Sequence, residues 1–216
     1  MKKIILTTAS VLAISLGGYA VADNLISEGN SQTEKVASIV KSEKTTKVMN
    51  SHGKTDDFEN IEELENSTPI IVRGVKTQVL NTDFDTSKVT GEIVSGYTES
   101  EFKILEVIKN EENNEKIKVD SNISVGEMAF ENEGTIYTIN GYQEMKDDKE
   151  YLLYLVEQDG LFAPRGVVFG KIPLDSQELE IYTTDSSEDV EDAEEATEIQ
   201  ETFEPLFDEV REKYAQ

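Results

Sequence analysis

Between Pro69 and Thr184 the chain is built from short β-branched and aromatic runs, and those runs change phase. Phe102 and Ile104 alternate with polar neighbours; Leu105 and Val107 then alternate one step out of register. Strand side chains point to opposite faces with a period of two, so a phase switch inside one apolar run marks a β-bulge in one long strand. Ile70-Ile71-Val72-Arg73-Gly74-Val75, continuing to Val79-Leu80, reads as a second long strand with a glycine placed for a bulge or sharp coil. Bulged strands twist and curl, and a chain of this length with many of them favours closure over a flat sheet. The expected fold is mainly β: a small OB-like barrel, with a β-sandwich as the alternative.

Further strands are expected at Val89 to Tyr97, Ile117 to Val119, Val125 to Phe130, Thr135 to Ile139, around Ile172, and Leu179 to Tyr182. Tyr151 to Val156 is the strongest apolar run and reads as a central strand, turned by Asp159-Gly160 into Leu161-Phe162-Ala163. Ile71, Ile104, Val107, Leu152, Leu153 and Leu155 are the expected core.

The flanks differ in texture. Residues 1–22 read as a Sec-type signal peptide: Met1-Lys2-Lys3, an apolar stretch from Ile4 to Gly18, then Ala20-Val21-Ala22 before Asp23. The alternative is an uncleaved anchor, the one case that gives a membrane contact. Residues 23–56 form a polar linker, and 57–184 the barrel domain. A short helix over 57–65 opens that domain, with Asp56 and Glu59 at capping-box spacing and Pro69 beyond its end. Residues 185–216 form an acidic tail whose apolar residues, among them Phe203, Phe207 and Tyr214, recur every three or four positions. That is an amphipathic helix, with a kink or new start expected at Pro205. Its aromatic stripe needs a cover, either the barrel itself or a partner's basic, apolar groove.

Composition narrows the chemistry. With 45 Asp and Glu against 20 Lys and Arg, the formal net charge is −25, which repels nucleic acid and anionic lipid and favours cations or a basic partner. No cysteine is present, so disulfides, thiol catalysis and zinc–thiolate sites are excluded. A cysteine-free exported chain rich in Lys, Glu and Asn is similar to secreted proteins of Gram-positive bacteria.

The order of the motifs carries one resemblance. Pro-Ile-Ile-Val-Arg-Gly-Val-Lys from Pro69 follows an acidic helix. Phe102-Lys-Ile-Leu-Glu-Val-Ile-Lys109, Ile117-Lys-Val119 and Lys149-Glu-Tyr-Leu-Leu-Tyr-Leu155 come after it, then a turn and strand. This layout, over about residues 57–173, resembles small exported bacterial barrel proteins of unassigned function. It is similar to the netrin-module and metalloproteinase-inhibitor OB-like barrels as well. Those inhibitors act through an N-terminal cysteine, which this chain lacks, so the resemblance implies a fold and transfers no inhibitory residue.

Few residues point to a reaction. Asn81, Asp83, Asp85 and Glu92 stand at the 1, 3, 5 and 12 spacing of a calcium loop, but Thr86 replaces the turn glycine and the flanks read as strands. His52 is the sole histidine, too little for a zinc site without cysteine or for a serine–histidine pair. No glycine pattern cradles phosphate, and no tryptophan offers a sugar platform. Arg73-Gly74 and Arg165-Gly166 hold two of the three arginines, each suited to bridging strand carboxylates or to anchoring an acidic ligand. The sequence reading is an exported, non-catalytic binding or inhibitory module at the cell surface or in the medium. The alternatives are a hydrolase with an unrecognised carboxylate site and an acidic calcium-responsive surface protein. Phe203, Phe207 and Tyr214 are the candidate partner contacts, calcium the one candidate cofactor, and a protein or cell-envelope ligand the expected partner.

Overall fold

The computed structural model describes residues 47–111, 113–158, 160–182 and 190–214, with side chains in the last segment at 201 and 203–214. The signal peptide read at 1–22 and the linker up to residue 46 lie outside the described residues. Along the chain come β1 (Lys47–Ser51), α1 (Ile61–Ser67), β2 (Ile70–Thr86), β3 (Ile93–Asn110), β4 (Asn122–Glu127) and β5 (Ala129–Asn132). There follow β6 (Thr135–Ile139), β7 (Glu150–Gln158), β8 (Leu161–Pro164), β9 (Lys171–Pro173) and α2 (Val190–Tyr214).

The sheet β2-β3-β4-β8-β7 closes because β2 also pairs with β7, from Ile70↔Leu155 to Val75↔Glu150. The β4–β8 pairing is parallel and the other ring pairings are antiparallel. Taken in chain order, the first, second and third ring strands are neighbours, then the fifth, then the fourth, which returns to the first. This is the expected OB-like barrel. The phase switch in the sequence is real: β2 passes from Arg73↔Glu106 to Gly74↔Ile104, which leaves Leu105 as a bulge in β3.

Strict alternation sorts the side chains into two cores. Ile70 and Val72, Phe102 and Ile104, Ile123 and Val125, Leu153 and Leu155, and Phe162 fill the barrel interior. The residues between them on β2 and β7, Ile71, Leu152 and Tyr154, face outward and are covered by Leu64 of α1 and by Phe203, Leu206, Phe207 and Val210 of α2. β7 is thus buried on both faces, which is why its sequence is a continuous apolar run. Val107 is only half-buried.

Several local readings change. The stretch read as linker contributes β1 from Lys47 to Ser51, which pairs in parallel with β6. α1 starts later than expected: Asn60, not Asp56, caps it, its Oδ1 accepting from the Glu63 amide at 3.0 Å. β3 begins at Ile93, because Ser87 to Glu92 form the turn. Ile117 is buried without joining a strand, and Leu179 to Tyr182 contribute one bridge, Tyr142↔Ile181. α2 runs through Pro205 without interruption. Among the described residues no helix is long and apolar enough to cross a membrane.

Candidate functional site: a groove between arm and small sheet

β2 leaves β7 after Val75, and beyond Thr82 and Thr98, where β4 also ends, β2 and β3 run on alone as a two-stranded arm. Every β2 residue from Gln78 to Thr86 is exposed, a length of about 30 Å at ~3.3 Å per residue. β4 joins β3 at Thr98, so from Ile93 to Tyr97 β3 pairs with β2 on one edge, and its other edge carries no described strand. A bare edge of apolar residues presents unpaired backbone donors and acceptors.

A small sheet, ordered β1-β6-β5, forms the facing wall. Met49, Tyr137 and Phe130 lie in one register row across it. Phe130 stacks on Tyr137 with ring centroids 5.1 Å apart, and Phe84 of the arm continues the stack at 5.7 Å with rings 3° from parallel. Gly96, opposite Phe84, makes this possible: a Cβ there would lie 2.5 Å from Phe130 Cε1 and 2.8 Å from the Asp83 carbonyl. The missing side chain is the socket in which the aromatic ring sits.

Between the walls runs a groove of about 110 Å³, lined by Ile93, Val94, Phe130, Tyr137 and Ile139. Its surroundings are unusually apolar for so acidic a chain. Met49 is 44% exposed, Phe84 39% and Val94 64%, and Val89 at the arm's tip is 94% exposed. The same elements carry exposed acids: Asp83, Asp85 and Glu92 on the arm, Glu131 and Glu133 at the β5–β6 turn.

The root of the arm is anchored by buried charge. Lys76 Nζ lies 3.0 Å from Glu127 Oε1 and donates to the Met145 carbonyl at 2.8 Å. Glu127 also accepts from Ser100 Oγ at 2.5 Å, Tyr142 OH at 3.2 Å and the Met145 amide at 2.5 Å. Burial, reinforced by Glu127, pushes the Tyr142 hydroxyl well above its ordinary range, so it stays a donor. Burial also raises the Glu144 carboxyl, which accepts from Thr98 Oγ1 at 2.8 Å where β3 leaves the barrel. Every lone pair of Glu127 that matters is used, which makes this cluster an anchor for the 140–149 segment.

The residues singled out from sequence fall elsewhere. Asn81, Asp83 and Asp85 follow one another along β2, and Glu92 lies past the turn. Extended backbone puts Asn81 and Asp85 about 13 Å apart, too far to wrap one ion as a calcium loop does. Among the described residues no group of three or more His, Cys, Asp or Glu is gathered to hold a metal. Arg73 Nε bonds Glu150 Oε1 across the β2–β7 pair, the bridging role. Arg165 Nη2 lies 2.8 Å from Asp56 Oδ2. Phe203 and Phe207 are buried against the chain's own barrel, and Tyr214 OH donates to Glu65 Oε1 at 2.7 Å. Sequence reasoning passed over Phe84, Phe130, Tyr137 and Gly96. The signal for them was available in the glycine within an otherwise β-branched strand, a mark of close approach by another group. Comparison with protein-family models and with curated proteins finds no match.

Proposed function

We propose that this protein is an exported binding module, and that the groove between arm and small sheet takes an extended, basic and apolar segment of a partner protein. The observation that carries the reading is the bare β3 edge from Ile93 to Tyr97 forming one wall of an apolar groove. An extended segment adds to such an edge as a strand; main-chain hydrogen bonds supply affinity, and alternate side chains enter the groove. The acids of the arm and of the β5–β6 turn select lysine or arginine at the outward positions. The site also lies where OB-like barrels usually bind, beside the second and third ring strands and the hairpin between the first and second. A net charge of −25 argues against the nucleic acids that many such barrels take.

The layout resemblance to netrin-module and metalloproteinase-inhibitor barrels belongs to the same proposal, and the strand order supports it. Export by the Sec route, to the surface or medium of a Gram-positive bacterium, rests on the pattern from Met1 to Ala22.

The test is a binding titration with two short labelled peptides, one alternating lysine with valine, the other glutamate with valine. The lysine peptide binds and the glutamate peptide does not; added salt weakens the complex. Val94→Asp, at an exposed position, weakens binding by about tenfold or more while leaving the melt unchanged. Equal binding of the two peptides, or a Val94→Asp variant that binds like the parent, contradicts the proposal.

A further inference from the structure

A second cleft shares Met128 with the groove and opens where the chain after β1 passes the outer end of the β7–β8 pair. Its volume is about 410 Å³, within the range of small-molecule sites. Val156, Ala163, Pro164 and Val167 give it apolar walls, and two cationic side chains, Lys54 and Arg165, line it. Two cations at one cleft stand out in a chain with only 20 lysines and arginines.

Arg165 keeps one of its donors unpaired. Its guanidinium carbon lies 6.0 Å from the centre of the Phe58 ring. Its Nη2 bonds Asp56, whereas its Nε–H is buried with no hydrogen-bond partner. A buried N–H of a charged group without an acceptor is costly, and a guanidinium offers that N–H together with an adjacent Nη donor as a fork for one carboxylate. Asp56 engages one tine of that fork at a side chain more than half exposed to water. Gly166 has φ +61, and a Cβ there would lie 2.7 Å from the Asp56 carbonyl and 2.8 Å from the Phe58 ring. Glycine thus lets the Arg165 turn close directly on the Asp56–Phe58 segment and sets the cleft's geometry.

We propose that this cleft binds a small amphipathic anion, a carboxylate on an apolar body, with Arg165 taking the carboxylate and Lys54 assisting. Asp56 is the internal stand-in: it occupies part of the fork and swings to water when the ligand's carboxylate takes both donors. The apolar body lies along Val156, Ala163 and Pro164. None of the residues invoked here lines the groove, so failure of this site leaves the peptide-binding proposal standing.

The experiment is an NMR titration of the full chain with hexanoate and, separately, with hexanol. Hexanoate shifts the amides of Thr55, Gly166 and Val167 and the Arg165 Nε–H, and binds about tenfold more tightly than hexanol. Asp56→Asn, which removes the competitor, tightens hexanoate severalfold; Lys54→Gln weakens it severalfold. Both substitutions are at exposed side chains, so they remain informative if Arg165→Gln, which also loses the Phe58 contact, fails to fold. Hexanol binding as well as hexanoate, shifts confined to other regions, or an Asp56→Asn variant with unchanged or weaker hexanoate affinity would overturn the assignment.

Discussion

Lys171 is buried at the edge of the barrel, its Nζ bonded to the Gln143 and Glu180 carbonyls, 3.5 Å from Glu180 Oε2 and 4.5 Å over the Tyr142 ring. Burial pushes the ammonium down to about 8, and the Glu180 carboxylate offsets part of that. Between pH 8 and 10 the folded chain therefore releases a proton from Lys171, while the unfolded chain, at the ordinary lysine value, keeps it. The unfolded state binds more protons, so this group's contribution to stability rises with pH across that window. Tyr142 and Tyr151, both raised by burial, act in the opposite direction only where unfolded tyrosines ionise, near 10 and above. Denaturant melts from pH 8 to 10 will show the parent gaining stability relative to Lys171→Met; parallel curves would show that Lys171 stays protonated throughout. The buried lysines were partly legible in sequence. Lys76 shares the phase of Ile70 and Val72, and Glu127 that of Ile123 and Val125, so alternation alone places both charges inside the barrel. Charge is ordinarily read as exposure, and that habit hides them.

At the scale of elements, α2 is the clearest case of sequence pattern becoming packing. Its spacing of three and four reads as one apolar stripe, and Phe203, Leu206, Phe207 and Val210 are buried on the outer face of β2 and β7. Phe203 meets Phe169 edge-on at 5.8 Å and Phe207 at 5.9 Å. Lys213 reaches Glu65 of α1 at 2.8 Å, so the two helices are tied as they cover the same core. Phe207→Ala removes a buried ring and leaves a cavity, which costs about 3–5 kcal/mol. A urea melt of that variant against the parent measures it; a loss under ~1 kcal/mol would mean that the helix does not cover the barrel in solution. β1 was not legible by the same means. Lys47-Val48-Met49-Asn50-Ser51 has no run of apolar residues, and its place is fixed by β6, nearly ninety positions later. A strand whose stability comes from a distant partner leaves little local trace. The arm was legible only in part: the strand reading stopped at Leu80 and gave Asn81 to Ser87 to a polar loop, whereas β2 runs on to Thr86, and nothing in Val79-Leu80 or Phe84 says that pairing with β7 ends at Val75.

The whole molecule joins three physical features: a filled barrel, an outer face sealed by helices, and an arm with the small sheet that leaves apolar surface and bare strand edge at one place. The filled interior and the sealed face account for nearly all of the large buried side chains. Of the exposed large apolar side chains, Val94 lines the groove and Met49 and Phe84 stand on its walls; Val79, Leu80 and Val89 lie elsewhere along the β2–β3 hairpin, and Leu105 and Val119 lie away from the groove. Contiguous apolar surface rimmed by charge is uncommon on a chain that needs no partner there. The most direct measurement is amide hydrogen exchange with and without the lysine–valine peptide. Strand addition predicts slowed exchange for those amides of the Ile93–Tyr97 edge that face the groove, with the outer face of α2 unchanged. Slowed exchange elsewhere, with the Ile93–Tyr97 amides as fast in the complex as in the free protein, would contradict it.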